Sequence, residues 1–87
     1  MEKTVAKKIW EDVMDLMFVV NEQYSEEMSQ LRKKYLWTIH LVEDRGSKNE
    51  IIKQNYQEYL DEQKKINYKY EILSHLCDFS DMLEEEM

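Results

Sequence analysis

His40 and His75 each have an acid three residues on, Glu43 and Asp78, and Glu71 stands one turn before His75. On a helix, i, i+3 and i, i+4 neighbours share a face and can share a metal ion. Two one-turn acidic pairs, Asp12-x-x-Asp15 and Glu58-x-x-Asp61, have the spacing at which helices hold Mg²⁺ for hydrolysis of nucleotide pyrophosphate bonds. Cys77 is the one cysteine and hence the one candidate thiol nucleophile.

Each of these weakens when its surroundings are read. In a hairpin folding at residues 45–46, His40 lies near the turn and His75 far along the second arm, so they do not meet. Asp12 then faces about position 79, away from Glu58, which meets Lys33. Cys77 has no lysine, arginine or second cysteine near it in sequence to activate it as a nucleophile, and a helix places His75 on a different face. The expectation for Cys77 is a small buried hydrophobe. No glycine-rich phosphate loop, Ser/His/Asp set or zinc spacing is present. The chain therefore reads as a non-enzyme, with no metal and no cofactor.

The elements that hold these side chains are legible from spacing. Eighty-seven residues make one domain, 1–87. With one glycine and no proline, 43% hydrophobic and 36% charged residues, the composition is that of an all-α protein. The longest apolar run, Leu16–Val20, is five residues, far below the roughly 18–20 needed to span a bilayer. A charged start without a signal-peptide pattern and a single thiol point to a cytoplasmic setting.

Asp44-Arg45-Gly46-Ser47 reads as a helix stop followed by a helix start. Gly46 can end one helix in the left-handed conformation, and Ser47-Lys48-Asn49-Glu50 has the form of a capping box. Before the turn, Val13, Met17, Val20, Tyr24, Met28, Leu31, Tyr35, Thr38 and Val42 follow three-and-four spacing with one stutter. After it, Ile52, Tyr56, Tyr59, Gln63, Ile66, Tyr70, Leu73 and Cys77 form a coiled-coil-like heptad seam. This predicts a long antiparallel helical hairpin turning near Gly46, its second arm spanning 47–85 with any bend after Cys77. Polar Asn21–Ser25 leaves an alternative, a three-helix bundle with a break near residues 21–25. Facing residue numbers summing to about 91 place Lys33 near Glu58, Phe18 near Leu73 and Ile9 near Met82.

The apolar residues Ile9 to Val20 and Tyr35 to Val42 cover more than one stripe of their helix. A homo-oligomer is therefore expected, a dimer forming a helical bundle. The net charge is −7 and the pI about 4.8. Six acids, Glu71, Asp78, Asp81, Glu84, Glu85 and Glu86, stand in residues 71–87 without a lysine or arginine. The basic clusters Arg32-Lys33-Lys34 and Lys64-Lys65 are diluted by acids, which disfavours direct nucleic-acid binding.

The functional expectation is a non-enzymatic protein–protein interaction module that regulates or inhibits a larger protein with a basic surface. Trp10, Trp37, Tyr56, Tyr59 and Tyr68 are the candidate aromatic anchors. Asp78, Asp81, Glu84, Glu85 and Glu86 are the candidate acidic contacts. Ten lysines to two arginines, with single alanine and glycine residues, suggest an AT-rich genome. A bacteriophage-encoded inhibitor of a host enzyme or defence system is the sharpest form of this expectation. The alternative is an oligomer that sequesters a small nucleotide, with Tyr68 or Trp37 stacking on the base and lysines neutralising phosphate.

Overall fold

A computed structural model of the chain describes residues 2–87. Among the described residues all regular structure is helical. Helix α1 spans Lys3–Lys34, and a single turn, α2, spans Leu36–Ile39. A π-helical turn follows at His40–Asp44, then α3 at Glu50–Lys69 and α4 at Ile72–Glu86. The fold is an all-α antiparallel helical hairpin.

Helix α1 passes through residues 21–25 unbroken, so the three-helix alternative is not adopted. No glycine or proline interrupts it. Tyr24, in the middle of the polar stretch, turns inward and meets the ring of Tyr70 edge-on at 5.4 Å. Arg32, Lys33 and Lys34 occupy its last turn, where cations oppose the helix dipole favourably. At Tyr35 the backbone leaves helical values (φ −109°, ψ 21°). The N–H of Tyr35 still donates to the Leu31 carbonyl, and its carbonyl accepts from Ile39. The chain jogs there without stopping.

The turn is wider than the sequence suggests. The N–H of Arg45 donates to His40 O, and that of Ser47 reaches back to Leu41 O at 2.9 Å. Gly46 takes φ +62°, the left-handed value that glycine adopts without penalty. Ser47 is thus committed to closing the first arm. The expected Ser47–Glu50 capping box does not form, and Asn49 caps α3 instead. Its Oδ1 accepts from the N–H groups of Ile51 (2.9 Å) and Ile52 (3.3 Å), two of the otherwise unpaired donors of the first turn. Ser47 Oγ accepts only from the N–H of Asn49, at 3.3 Å.

The helix of the second arm is interrupted at Tyr70–Glu71, not after Cys77. There Leu73 donates to Tyr70 O and Ser74 to Glu71 O, both at 3.0 Å. These i→i−3 bonds mark an overwound 3₁₀ turn. Overwinding advances the helix phase, so the seam steps from Leu73 to Leu76, Ser80 and Leu83. Cys77 is left exposed, contrary to its expected burial.

The chain divides into two compact units. One is Ser25–Tyr68. Its core is Leu31, Tyr35, Ile39 and Tyr59, with Tyr56, Leu60 and Ile66 packed against it. The rings of Tyr35 and Tyr56 each lie 5.7 Å from Tyr59. Thr38 hydrogen-bonds Asn55, and Arg32 Nη1 donates to the Tyr59 hydroxyl at 3.4 Å.

The other unit pairs the chain up to Tyr24 with the chain from Lys69 onward. Ala6, Val13 and Leu83 form its core, flanked by Ile9, Trp10, Met17 and Leu76. Ser80 is buried and turns its hydroxyl to Met14 Sδ at 3.6 Å. Trp10 meets Glu84, Met14 meets Ser80 and Tyr24 meets Tyr70, so facing numbers sum to about 94. Tyr35 and Tyr59 give the same total in Ser25–Tyr68. The expected value of about 91 is corrected by three, which follows from a hairpin centred near residue 47. Accordingly Lys34 pairs with Glu62, where the expected register paired Lys33 with Glu58.

Candidate functional site

The side chains with chemical potential are dispersed. His40 Nδ1 lies 2.8 Å from Asp44 Oδ2, an i+4 partner in place of Glu43, and its ring stands edge-on to Trp37 at 6.3 Å. His75 is exposed on α4, in the other unit. Asp12, Asp15, Glu58 and Asp61 are exposed, and Asp61 accepts from the side chain of Gln57 at 3.0 Å. Among the described residues no three His, Cys, Asp or Glu side chains converge on a point where a metal could be held.

In Ser25–Tyr68 the most developed polar constellation surrounds Glu62. Its carboxylate accepts from Lys34 Nζ at 3.2 Å. The Tyr35 hydroxyl lies beside the same carboxylate, although Oε2 is enclosed without a geometrically complete hydrogen bond. Tyr35 and then Lys34 hold the Glu62 pKa below the ordinary carboxylate value. In return Glu62 raises the pKa of Lys34, and together with burial it raises that of Tyr35. An open cleft of about 370 Å³, lined by Glu27, Gln30, Leu31, Lys34, Glu62, Lys65 and Ile66, adjoins this group. Two carboxylates against two lysines give the cleft no net preference for an anion.

The aromatic candidates fall into two sets. Tyr59 is buried, at 2% exposure, and serves the core. Tyr56 is half-buried and donates its hydroxyl to Glu43 at 3.3 Å. Burial, and then Glu43, push its pKa up. Trp10 is half-buried and donates Nε1–H to Glu84 Oε1 at 3.1 Å. Trp37 and Tyr68, in contrast, are 76% and 79% exposed. Trp37 lines a shallow apolar depression with Leu36 and His40. Asp78, Asp81, Glu84, Glu85 and Glu86 are all exposed on α4.

A feature that sequence reasoning missed lies in the unit of α4. Met14, Met17, Phe18, Asn21, Leu73 and Cys77 line a shallow groove of about 300 Å³ with mostly apolar walls. The signal for it was the surplus of apolar residues in Ile9–Val20, more than one helix stripe can bury. Locating the groove required the phase of α4, which the unmarked turn at Tyr70–Glu71 sets.

Charge is partitioned as sharply as packing. In Ser25–Tyr68, eight acids and eight bases cancel, so the whole −7 belongs to the other unit. That unit also carries most of the large hydrophobic side chains left exposed, among them Leu16, Phe18, Val19, Ile72, Phe79 and Met82. No protein-family model matches the chain, and neither a curated protein nor a solved structure matches it.

Proposed function

We propose that the chain is a non-enzymatic interaction module that binds a larger protein bearing a basic surface and regulates or inhibits it. One observation carries this reading: the net charge and most of the exposed apolar side chains occupy the same unit. Like charge concentrated on an apolar surface suits an oppositely charged, partly apolar partner.

Self-association belongs to the same reading and falls to the charge-balanced unit. There Leu36 and Trp37 are both exposed and line one shallow apolar depression, and the unit itself carries no net charge. The bias toward AT-rich codons suits a regulator from an AT-rich genome, a bacteriophage among them. The nucleotide-sequestering alternative draws less support, because Lys34 is already engaged by Glu62.

The test is affinity capture from the source cells. The bait is the wild-type chain, compared with a variant carrying Asp78→Asn, Asp81→Asn, Glu84→Gln, Glu85→Gln and Glu86→Gln. One stoichiometric protein retained at low salt, and lost both in the variant and at about 0.5 M salt, where charges are screened within a few ångströms, is the expected result. A folded wild-type chain that captures nothing at low salt overturns the reading.

A further inference from the structure

The groove between α1 and α4 has a definite shape. Met14 and Phe18, one turn apart, form one wall, and Leu73 and Cys77, also one turn apart, form the other. Two parallel i, i+4 ridges on antiparallel helices leave an apolar trough along the helix axes. Such a trough receives the i, i+3, i+4 and i+7 side chains of a third helix. At about 300 Å³ it is at the lower limit for a small-molecule cleft. It is better matched to a few inserted side chains.

The charges around it select the occupant. Asp81 stands one turn beyond Cys77 on α4, and Glu22 one turn beyond Phe18 on α1. Both are exposed, and in the antiparallel register they bracket opposite ends of the trough. Asp81 lies level with position 13, so the two carboxylates are separated by roughly 13 Å along the axis. A second copy would bring −7 against −7, and an anionic lipid surface would be repelled in the same way. Methionine walls adapt to differently shaped apolar side chains.

We infer that this groove docks the apolar face of a basic amphipathic helix belonging to the partner protein, with lysines or arginines reaching Glu22 and Asp81 at its two ends. The inference rests on the proposed function and specifies how the partner is engaged. The complementary pattern on the partner is two basic residues about nine positions apart, roughly 13 Å on a helix, with leucine-like residues between them on one face.

Cys77 supplies the readout, since it is exposed, lines the groove and is the only thiol. The experiment follows alkylation of the full chain by a small maleimide at about 50 mM salt. It is run alone, with a synthetic 18-residue Lys/Leu peptide patterned as an amphipathic helix, and with a scrambled peptide of the same composition. The patterned peptide is expected to slow alkylation at least tenfold and the scrambled one less than twofold. Protection should disappear in Phe18→Ser, which removes a side chain already 64% exposed and so leaves the fold intact.

Equal protection by both peptides, or binding of either without protection, means attraction to the acids alone. That overturns the groove assignment while the capture experiment still decides the proposed function. Absence of binding by the patterned peptide also overturns it. Protection that grows with protein concentration, without peptide, makes a second copy the occupant and overturns it as well.

Discussion

The indole N–H of Trp10 donates to the Glu84 carboxylate at 3.1 Å, tying the first turns of α1 to the last turns of α4. Glu84, Glu85 and Glu86 crowd the negative end of α4, where the helix dipole disfavours them. The helix nevertheless continues to Glu86. Trp10 holds one of the three carboxylates, and Leu83 beside it is buried. Trp10→Phe keeps most of the apolar contact and deletes the donor. We expect a loss of about 0.5–1 kcal/mol in urea denaturation, with faster amide exchange over residues 83–86. Unchanged exchange there would show that the bond does not hold the helix end.

The start of α3 tests which side chain caps it. Asn49→Ala removes the acceptor for Ile51 and Ile52 and should cost about 1 kcal/mol. Ser47→Ala removes only the longer bond to Asn49 and should cost less than half as much. The reverse order of the two melting temperatures would return the cap to Ser47.

Gly46 has nothing within 4 Å of where a Cβ would stand, so substitution there carries a conformational penalty and no clash. At φ +62°, Gly46→Ala should destabilise by about 1 kcal/mol. Gly46→Asn should recover part of the loss, because asparagine visits the left-handed region more readily. Equal melting of the alanine variant and wild type would mean that the turn changes conformation freely.

Much of the hairpin was legible because its seams are regular. Every member of the first seam, Val13 to Val42, is buried or half-buried, as are Ile52 to Leu73 in the second. Gly46 marked the turn because no other residue type adopts its φ so cheaply. The cap was misplaced by two residues because Ser47 satisfies the capping-box pattern and also closes a wide turn, and spacing does not distinguish the two. That difference moved the register by three. The break at Tyr70–Glu71 was invisible because no glycine or proline produces it. Once the helix overwinds there, Cys77 and Leu76 exchange places between surface and seam. The groove followed from that exchange, so it was hidden for the same reason.

The acid dependence of stability should report on Glu62. Its pKa is depressed by Tyr35 and Lys34. Between the ordinary glutamate value and the folded value, the unfolded chain therefore binds more protons than the folded one. Stability contributed by Glu62 is complete above the ordinary value, about 4.3, and is lost as pH falls through the folded value. Urea midpoints measured from pH 7 to 3 should fall less steeply for Glu62→Gln than for wild type. Parallel curves would show that the carboxylate is no better solvated by its partners than by water. Lys34 works in the opposite direction. Its raised pKa makes its contribution complete at neutral pH and removes it only in strongly alkaline solution.

The phase of α4 gives the sharpest contrast between two neighbouring apolar positions. Leu83 is 2% exposed and packs with Ala6 and Val13, so Leu83→Ala should cost about 2–5 kcal/mol through lost burial and the cavity left behind. Cys77 is exposed, so Cys77→Ala should change stability by less than about 0.5 kcal/mol. Had α4 continued the heptad seam of α3 without the tight turn at Tyr70–Glu71, Cys77 would be the inward residue and its truncation the costly one. Measuring both variants by urea denaturation decides between the phases. A costly Cys77→Ala with a mild Leu83→Ala would rotate the helix back, and the groove of Met14, Phe18, Leu73 and Cys77 would close with it.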